Sequence, residues 1–196
     1  MVTDAVLILL AYLFGSIATA IVVCRLMRLP DPREIGSGNP GATNVLRLCG
    51  RLPAALTLVG DFLKGTVPVA VTLALGRGDM AVALAGLAAF LGHLYPLYFG
   101  FKGGKGVATG LGVLLAWSWP GMLATVAVWL VVAALFRYAS LAAMVSFLLA
   151  PLVLLALDTP GAVMAGMAAI TVLTYWRHRN NIRNLLDGTE NKLGTK

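Results

Sequence analysis

Seven long apolar runs, separated by charged or Gly/Pro-rich breaks, dominate the chain. They fall at approximately residues 5–27, 52–75, 80–99, 106–118, 120–136, 139–157 and 160–176. A helical crossing of a hydrocarbon core about 30 Å thick takes about 20 predominantly apolar residues. The pattern therefore predicts an all-α, polytopic integral membrane protein with seven transmembrane helices, built as a single membrane domain over residues 1–196. The fourth run is the shortest, bounded by glycine at its start and by Trp117-Ser118-Trp119-Pro120 at its end. Those two tryptophans read as part of an interfacial belt. The first run is too long for a signal peptide and lacks a basic segment before it, so it is read as a permanent first span. Beyond Trp176 the chain turns polar, and a short cytoplasmic tail or amphipathic helix is expected there.

Composition supports this picture. The chain is 59% hydrophobic and only 12% charged, too little polar surface for a water-soluble domain of this size. Its formal net charge of +7 could point to nucleic acid, but the distribution favours topology. With the N-terminus outside, Arg25, Arg28, Arg33, Arg47, Arg51, Lys102, Lys105, Arg137, Arg177, Arg179, Arg183, Lys192 and Lys196 all fall on the inner face. Only Arg77 falls outside, and Lys64 lies within a span. Such one-sidedness is the positive-inside bias, so a cytoplasmic C-terminus is expected and no nucleic-acid partner. Cys24 and Cys49 show no spacing that suggests a disulfide or a metal site, and no cofactor is implied.

Three polar segments on the basic face exceed what a connector needs. Gly36-Ser37-Gly38-Asn39-Pro40-Gly41-Ala42-Thr43-Asn44, closed by Arg47, combines glycines that let backbone amides converge on an anion with neutral donors and one guanidinium. A flexible surface loop would have a similar composition. Lys102-Gly103-Gly104-Lys105-Gly106-Val107-Ala108-Thr109-Gly110 feeds directly into the fourth span, where a helix N-terminus favours phosphate. Walker A spacing is absent, and Gly106 with Gly110 also form a Gly-x3-Gly packing pair. The third segment, 177–190, places His178 and Asn181 three residues apart on one helix face; its arginines could equally rest on anionic lipid headgroups. Both histidines, His93 and His178, fall on the basic face. Asp61 and Lys64, three apart within the second span, read as a structural ion pair offsetting the cost of lone intramembrane charges. Ser140 opens the sixth span as a helix cap or a substrate contact.

This set is rich in donors and cations and poor in carboxylates, which suits phosphate-bearing ligands better than proton abstraction. A nucleophile elbow, paired carboxylates and a metal cluster are all missing. So is a His-x4-Asp dyad, because Tyr98 follows His93 and Arg183 follows His178 at that spacing. A transporter of organic phosphates would need polar groups across the bilayer, whereas the outer halves of these spans carry almost none. A lipid-binding scaffold would need neither glycine-rich segment.

Residues 36–47, 92–96 with 102–109, and 178–190 resemble, in order, the three motifs of the bacterial acyl-phosphate:glycerol-3-phosphate acyltransferase family, PlsY. The third departs only at Arg183-Asn184, where the family has a basic pair. The resemblance implies transfer of an acyl chain from acyl phosphate to the 1-hydroxyl of glycerol 3-phosphate in phospholipid biosynthesis, at the cytoplasmic face of the bacterial inner membrane. It further implies Ser37, Arg47, Lys105, His178 and Asn181 as catalytic residues. The expected substrate contacts are Gly36, Gly38, Asn39, Gly103, Gly104, Gly106, Thr109, Lys102, Ser140 and His93. Glu190 would be structural, holding the tail, as would Asp61 and Lys64. The implied partners are acyl phosphate, glycerol 3-phosphate, membrane lipid and an acyl-phosphate-producing enzyme.

Overall fold

The computed structural model describes residues 1–194 and is all-helical; Lys196, counted above on the basic face, lies outside the described residues. The first apolar run folds as two helices, α1 (Val2–Gly15) and α2 (Thr19–Leu26), bent by 44° at the break between them. Next come α3 (Ala42–Cys49), α4 (Arg51–Ala74) and α5 (Asp79–Leu94), then a 3-10 turn at Leu97–Phe99. The chain continues through α6 (Val107–Trp117), α7 (Trp119–Phe136), α8 (Ala139–Ala156), α9 (Gly161–Arg177) and α10 (Arg179–Leu186). Each apolar run is thus helical, the first interrupted after Gly15 and the third ending its α-helix at Leu94.

Four of these segments are long and apolar enough to cross a membrane, and five if the bent α1–α2 pair is one span. The helix α6, at 11 residues, is only about 16 Å long at 1.5 Å per residue. Leu56, Val59, Leu63, Leu130, Val131 and Leu152 are exposed, an outward-facing apolar surface that only lipid can solvate favourably. The interior forms where α5, α6, α8 and α9 meet, around Phe90, Leu94, Val113, Leu114, Phe147, Leu154, Met167 and Ile170.

Close approach between helices uses small residues. A Cβ on Gly15 would collide with Ala89 O of α5, one on Gly65 with Thr109 O of α6, and one on Gly112 with Phe62 O of α4. The Gly106/Gly110 pair also packs closely, against side chains rather than main chain. Gly106 caps α6 with φ of 86°, and Gly110 faces the rings of Phe147 and Phe90. Trp117 departs from expectation. Its ring lies against Gly86 and Gly166, and its Nε1 donates to Val82 O at 3.2 Å. Of the two tryptophans assigned to a belt, only Trp119 is exposed. The sharp start of α7 does follow the sequence: Ser118 accepts from the Gly121 amide at 3.1 Å and Pro120 sits in the first turn, the positions those residues favour.

Candidate active site

The first motif is not all loop. Residues 42–49 form the helix α3, so Arg47 projects from a helix near its C-terminal end. Asn44, whose role was not anticipated, organises the turn before it. Its buried amide donates to Pro32 O (2.9 Å) and Ile35 O (3.2 Å), and its Oδ1 accepts from the Ser37 amide at 3.1 Å. Gly36 and Gly38 both take φ of 66°, and a Cβ on Gly36 would press within 2.5 Å of Asn44 Oδ1. The amide of Gly38 donates to Ile35 O and that of Gly41 to Asn39 O. The amides of Ser37, Gly38 and Gly41 are thus taken within the loop, and Ser37 presents an exposed side chain.

The second motif lies across the C-terminal end of α5. The Gly104 amide donates to His93 O at 3.2 Å, and a Cβ on Gly103 would strike that same carbonyl. Arg177, at the end of α9, donates Nε to Gly104 O (3.0 Å) and Nη2 to Gly103 O (2.7 Å); its guanidinium also stands 5.6 Å from the Tyr95 ring. This clamp was missed at the sequence level, where Arg177 was grouped with headgroup-binding arginines. The first motif reaches the same place, since Pro40 O lies 3.3 Å from where a Cβ of Gly104 would stand. Lys102 is exposed at the edge of the loop, and Thr109 is buried at the α4–α6 crossing.

Lys105 joins the second motif to the third. Its Nζ donates to Asn181 Oδ1 at 2.5 Å, Asn181 Nδ2 donates to Glu190 Oε1 at 2.7 Å, and Ser140 Oγ donates to the same oxygen at 2.6 Å. Asn184 Nδ2 reaches Glu190 Oε2 at 3.4 Å. Ser140, expected as a cap or a substrate contact, thus spends its proton on Glu190, and no side-chain cap bond starts α8. The tail is tied down further by Arg47 Nη2 on Asn191 O (3.4 Å) and by Arg137 Nη2 on Leu193 O (2.9 Å). Burial lowers the Lys105 pKa; the nearby Arg177 and Arg47 push the same way, while Glu190 opposes them.

His178 sits at the junction of α9 and α10, buried, with Nδ1 2.8 Å from Thr174 O. A carbonyl can only accept, so Nδ1 carries the hydrogen and Nε2 presents a lone pair. Burial pushes its pKa down to about 4, against an opposing pull from the Thr174 carbonyl. Neutral His178 is therefore an acceptor at Nε2, not one of the donors it was grouped with. His93, expected to touch substrate, is buried beneath the glycine loop, with Nδ1 3.5 Å from Asp61 Oδ1 and Nε2 directly under Gly104. Asp61 and Lys64 form the expected pair at 2.8 Å, and Lys64 also donates to Ile17 O at 2.7 Å, in the break between α1 and α2.

A helical bundle with a lipid-facing apolar surface and a cation- and amide-rich polar cluster is a multi-pass membrane protein whose cluster has the chemistry to hold an anion. The family model described as Glycerol-3-phosphate acyltransferase matches residues 5–188, and the chain belongs to that family. The glycerol-3-phosphate acyltransferase of Halorhodospira halophila is 55% identical over 192 residues, covering 98% of each chain. That of Thioalkalivibrio sulfidiphilus is 53% identical over 197 residues, covering 100% of this chain and 97% of the relative. Among solved structures, PlsY (YgiH), an integral membrane glycerol 3-phosphate acyltransferase, superposes in its glycerol 3-phosphate form with a TM-score of 0.95 at 42% identity. The match covers 98% of this chain and 96% of the other. Its lysophosphatidic acid form gives 0.93 at 41% identity, with the same coverage.

Proposed function

We propose that this enzyme transfers an acyl group from acyl phosphate to the 1-hydroxyl of glycerol 3-phosphate, yielding 1-acylglycerol 3-phosphate (lysophosphatidate) and inorganic phosphate for phospholipid biosynthesis. The observation that carries the reading is the Lys105–Asn181–Glu190–Ser140 network. It brings the second and third motifs to one place, with Lys105 as the cation that joins them. Solved relatives in glycerol 3-phosphate and lysophosphatidic acid forms support the acceptor and the product. The donor is supported by the chemistry of the residues. An acyl phosphate is a mixed anhydride with a good leaving group, so it needs positioning and charge stabilisation more than a strong base. Proximity alone can supply on the order of 7–11 kcal/mol.

In this reaction the glycerol 1-oxygen attacks the acyl carbon, the acyl carbon–oxygen bond to phosphate breaks, and the hydroxyl proton leaves with the departing phosphate. Lys105, Arg47 and the glycine loop hold the glycerol phosphate, Ser37, Asn39 and Lys102 line the approach, and His178 Nε2 accepts a hydrogen bond that aims the attacking hydroxyl. The acyl chain lies among the spans. An apolar groove of about 610 Å³ between α1 and α4, lined by Leu10, Phe14, Ile17, Val67, Val71 and Tyr98, offers it room. The topology proposed is seven spans with the N-terminus outside and the site at the cytoplasmic face of the inner membrane, where an acyl-phosphate-producing enzyme supplies the donor. A phosphatase reporter fused after residue 196 should be inactive, because that enzyme folds only outside the cytoplasm; an active fusion would reverse the orientation.

Incubating purified protein with palmitoyl phosphate and glycerol 3-phosphate should yield lysophosphatidate and phosphate in equal amounts, with palmitoyl-CoA giving none. Phosphate release without lysophosphatidate would refute transfer.

The role of His178 has its own pH signature. Its folded pKa of about 4 lies below its ordinary value of 6.5, so protonation favours the unfolded chain. Stability should fall as pH drops from about 6.5 towards 4, and Nε2 should lose its lone pair, and the enzyme its rate, only near the lower value. His178→Ala should therefore retain a reduced rate whose pH dependence from 5 to 8 matches that of the wild type. A limb near pH 6–7 that vanishes in the variant would instead identify His178 as the base.

A further inference from the structure

We propose that His93, held by the buried Asp61–Lys64 pair, is a positioning residue that sets the height of the glycine-rich loop and so the reach of Lys105; this rests on the assignment of that loop to the glycerol phosphate. Three charged or titratable groups buried within the apolar bundle require an explanation, since such groups are costly there and are retained for a purpose. Asp61, Lys64 and His93 are 2%, 3% and 6% exposed, and they form one line of contacts. Lys64 Nζ caps Ile17 O, a carbonyl released by the break between α1 and α2, and meets Asp61 Oδ1. The same carboxylate oxygen faces His93 Nδ1. The far edge of the imidazole, Nε2 and Cε1, lies directly against Gly104, whose amide is bonded to the His93 carbonyl. Gly104 immediately precedes Lys105.

The loop thus rests on the ring while Arg177 holds the carbonyls of Gly103 and Gly104. A Cβ on Gly104 would run into the His93 ring and, less closely, Pro40 O, and the backbone leaving it is aimed so that Lys105 meets Asn181. Asp61 Oδ1, 3.5 Å from His93 Nδ1, limits the rotation of the ring, and Lys64 holds that carboxylate in place. A ring that only supports the loop touches neither substrate. Its removal should therefore weaken ground-state binding of glycerol phosphate and spare the chemical step, raising KM with little change in kcat.

The test is kinetic. His93→Ala should raise KM for glycerol 3-phosphate about tenfold, keep kcat within about threefold, and weaken glycerol 3-phosphate binding by calorimetry in the same ratio. Gly104→Ala in the wild-type background should cost about a hundredfold in kcat/KM, because the new methyl meets the ring. Added to His93→Ala it should cost at most a few-fold further, since the ring is gone and only Pro40 O at 3.3 Å remains near the methyl; neighbours that act through one contact are non-additive. His93→Asn retains a donor towards Asp61 but removes the ring edge, so it should reproduce the KM rise and serves if His93→Ala does not fold. A folded His93→Ala or His93→Asn with wild-type KM, or penalties that multiply in the double variant, would overturn the proposal. Calorimetry uses glycerol 3-phosphate without a donor. Failure of the transfer reaction in the wild type would therefore be seen separately from failure of this positioning role.

Discussion

Lys105→Ala is expected to lower kcat/KM for glycerol 3-phosphate by roughly two to three orders of magnitude. Truncating one member of a buried, hydrogen-bonded charged contact costs about 2–5 kcal/mol, and each 1.4 kcal/mol is a factor of ten. The loss has two parts. The substrate phosphate forfeits its nearest ammonium, and Asn181, deprived of its partner at Oδ1, becomes free to rotate away from Glu190, to which its Nδ2 is bonded. Lys105→Arg should not restore the rate. Arg47 and Arg177 already crowd the same field, and a planar guanidinium cannot take the place of a compact ammonium against one amide oxygen. The burial that lowers the Lys105 pKa also makes its charge more effective, because water screens it less. Steady-state titration of glycerol 3-phosphate at fixed acyl phosphate, with thermal unfolding of the variant as a check on folding, decides the matter. A loss below threefold would remove Lys105 from the phosphate site.

The spans and motifs were legible because their signals are local: long apolar runs, Gly/Pro punctuation and a one-sided distribution of cations. The Lys105–Asn181 contact could be anticipated only by family resemblance, since 76 residues separate the two. Arg177 shows what local reading misses. A juxtamembrane arginine beside a tryptophan looks like any headgroup anchor, and its grip on the Gly103 and Gly104 carbonyls comes from a loop more than 70 residues earlier. Asn44 was unremarkable among glycines until the fold put three backbone partners around it. The bend in the first span had no proline to announce it. Lys64, by capping Ile17 O, supplies the missing partner for the broken segment, as irregular backbone at membrane depth requires.

Gly112→Val is expected to be the most damaging single change to folding, lowering stability by at least the roughly 1–3 kcal/mol typical of an overpacked core. Most overpacked side chains find relief by shifting a neighbouring rotamer, but here the obstacle is main chain. A Cβ on Gly112 runs into Phe62 O, and on the same crossing a Cβ on Gly65 runs into Thr109 O. The two helices α4 and α6 approach through both positions, so neither can yield without separating them. In lipid that separation has little compensation, because close van der Waals contact between small residues is itself a main source of association. The effect should reach the site as well. With only 11 residues, α6 carries the Lys105 loop directly on its N-terminus, so a displaced helix moves the ammonium away from Asn181. Gly161→Ala is the matching control. That glycine opens α9 with open space around it and no positive φ, so alanine should be neutral or slightly stabilising. Thermal unfolding in detergent should show Gly112→Val melting well below the wild type and Gly161→Ala at or above it. Equal melting temperatures for Gly112→Val and the wild type would show that the α4–α6 crossing is not the close backbone contact described.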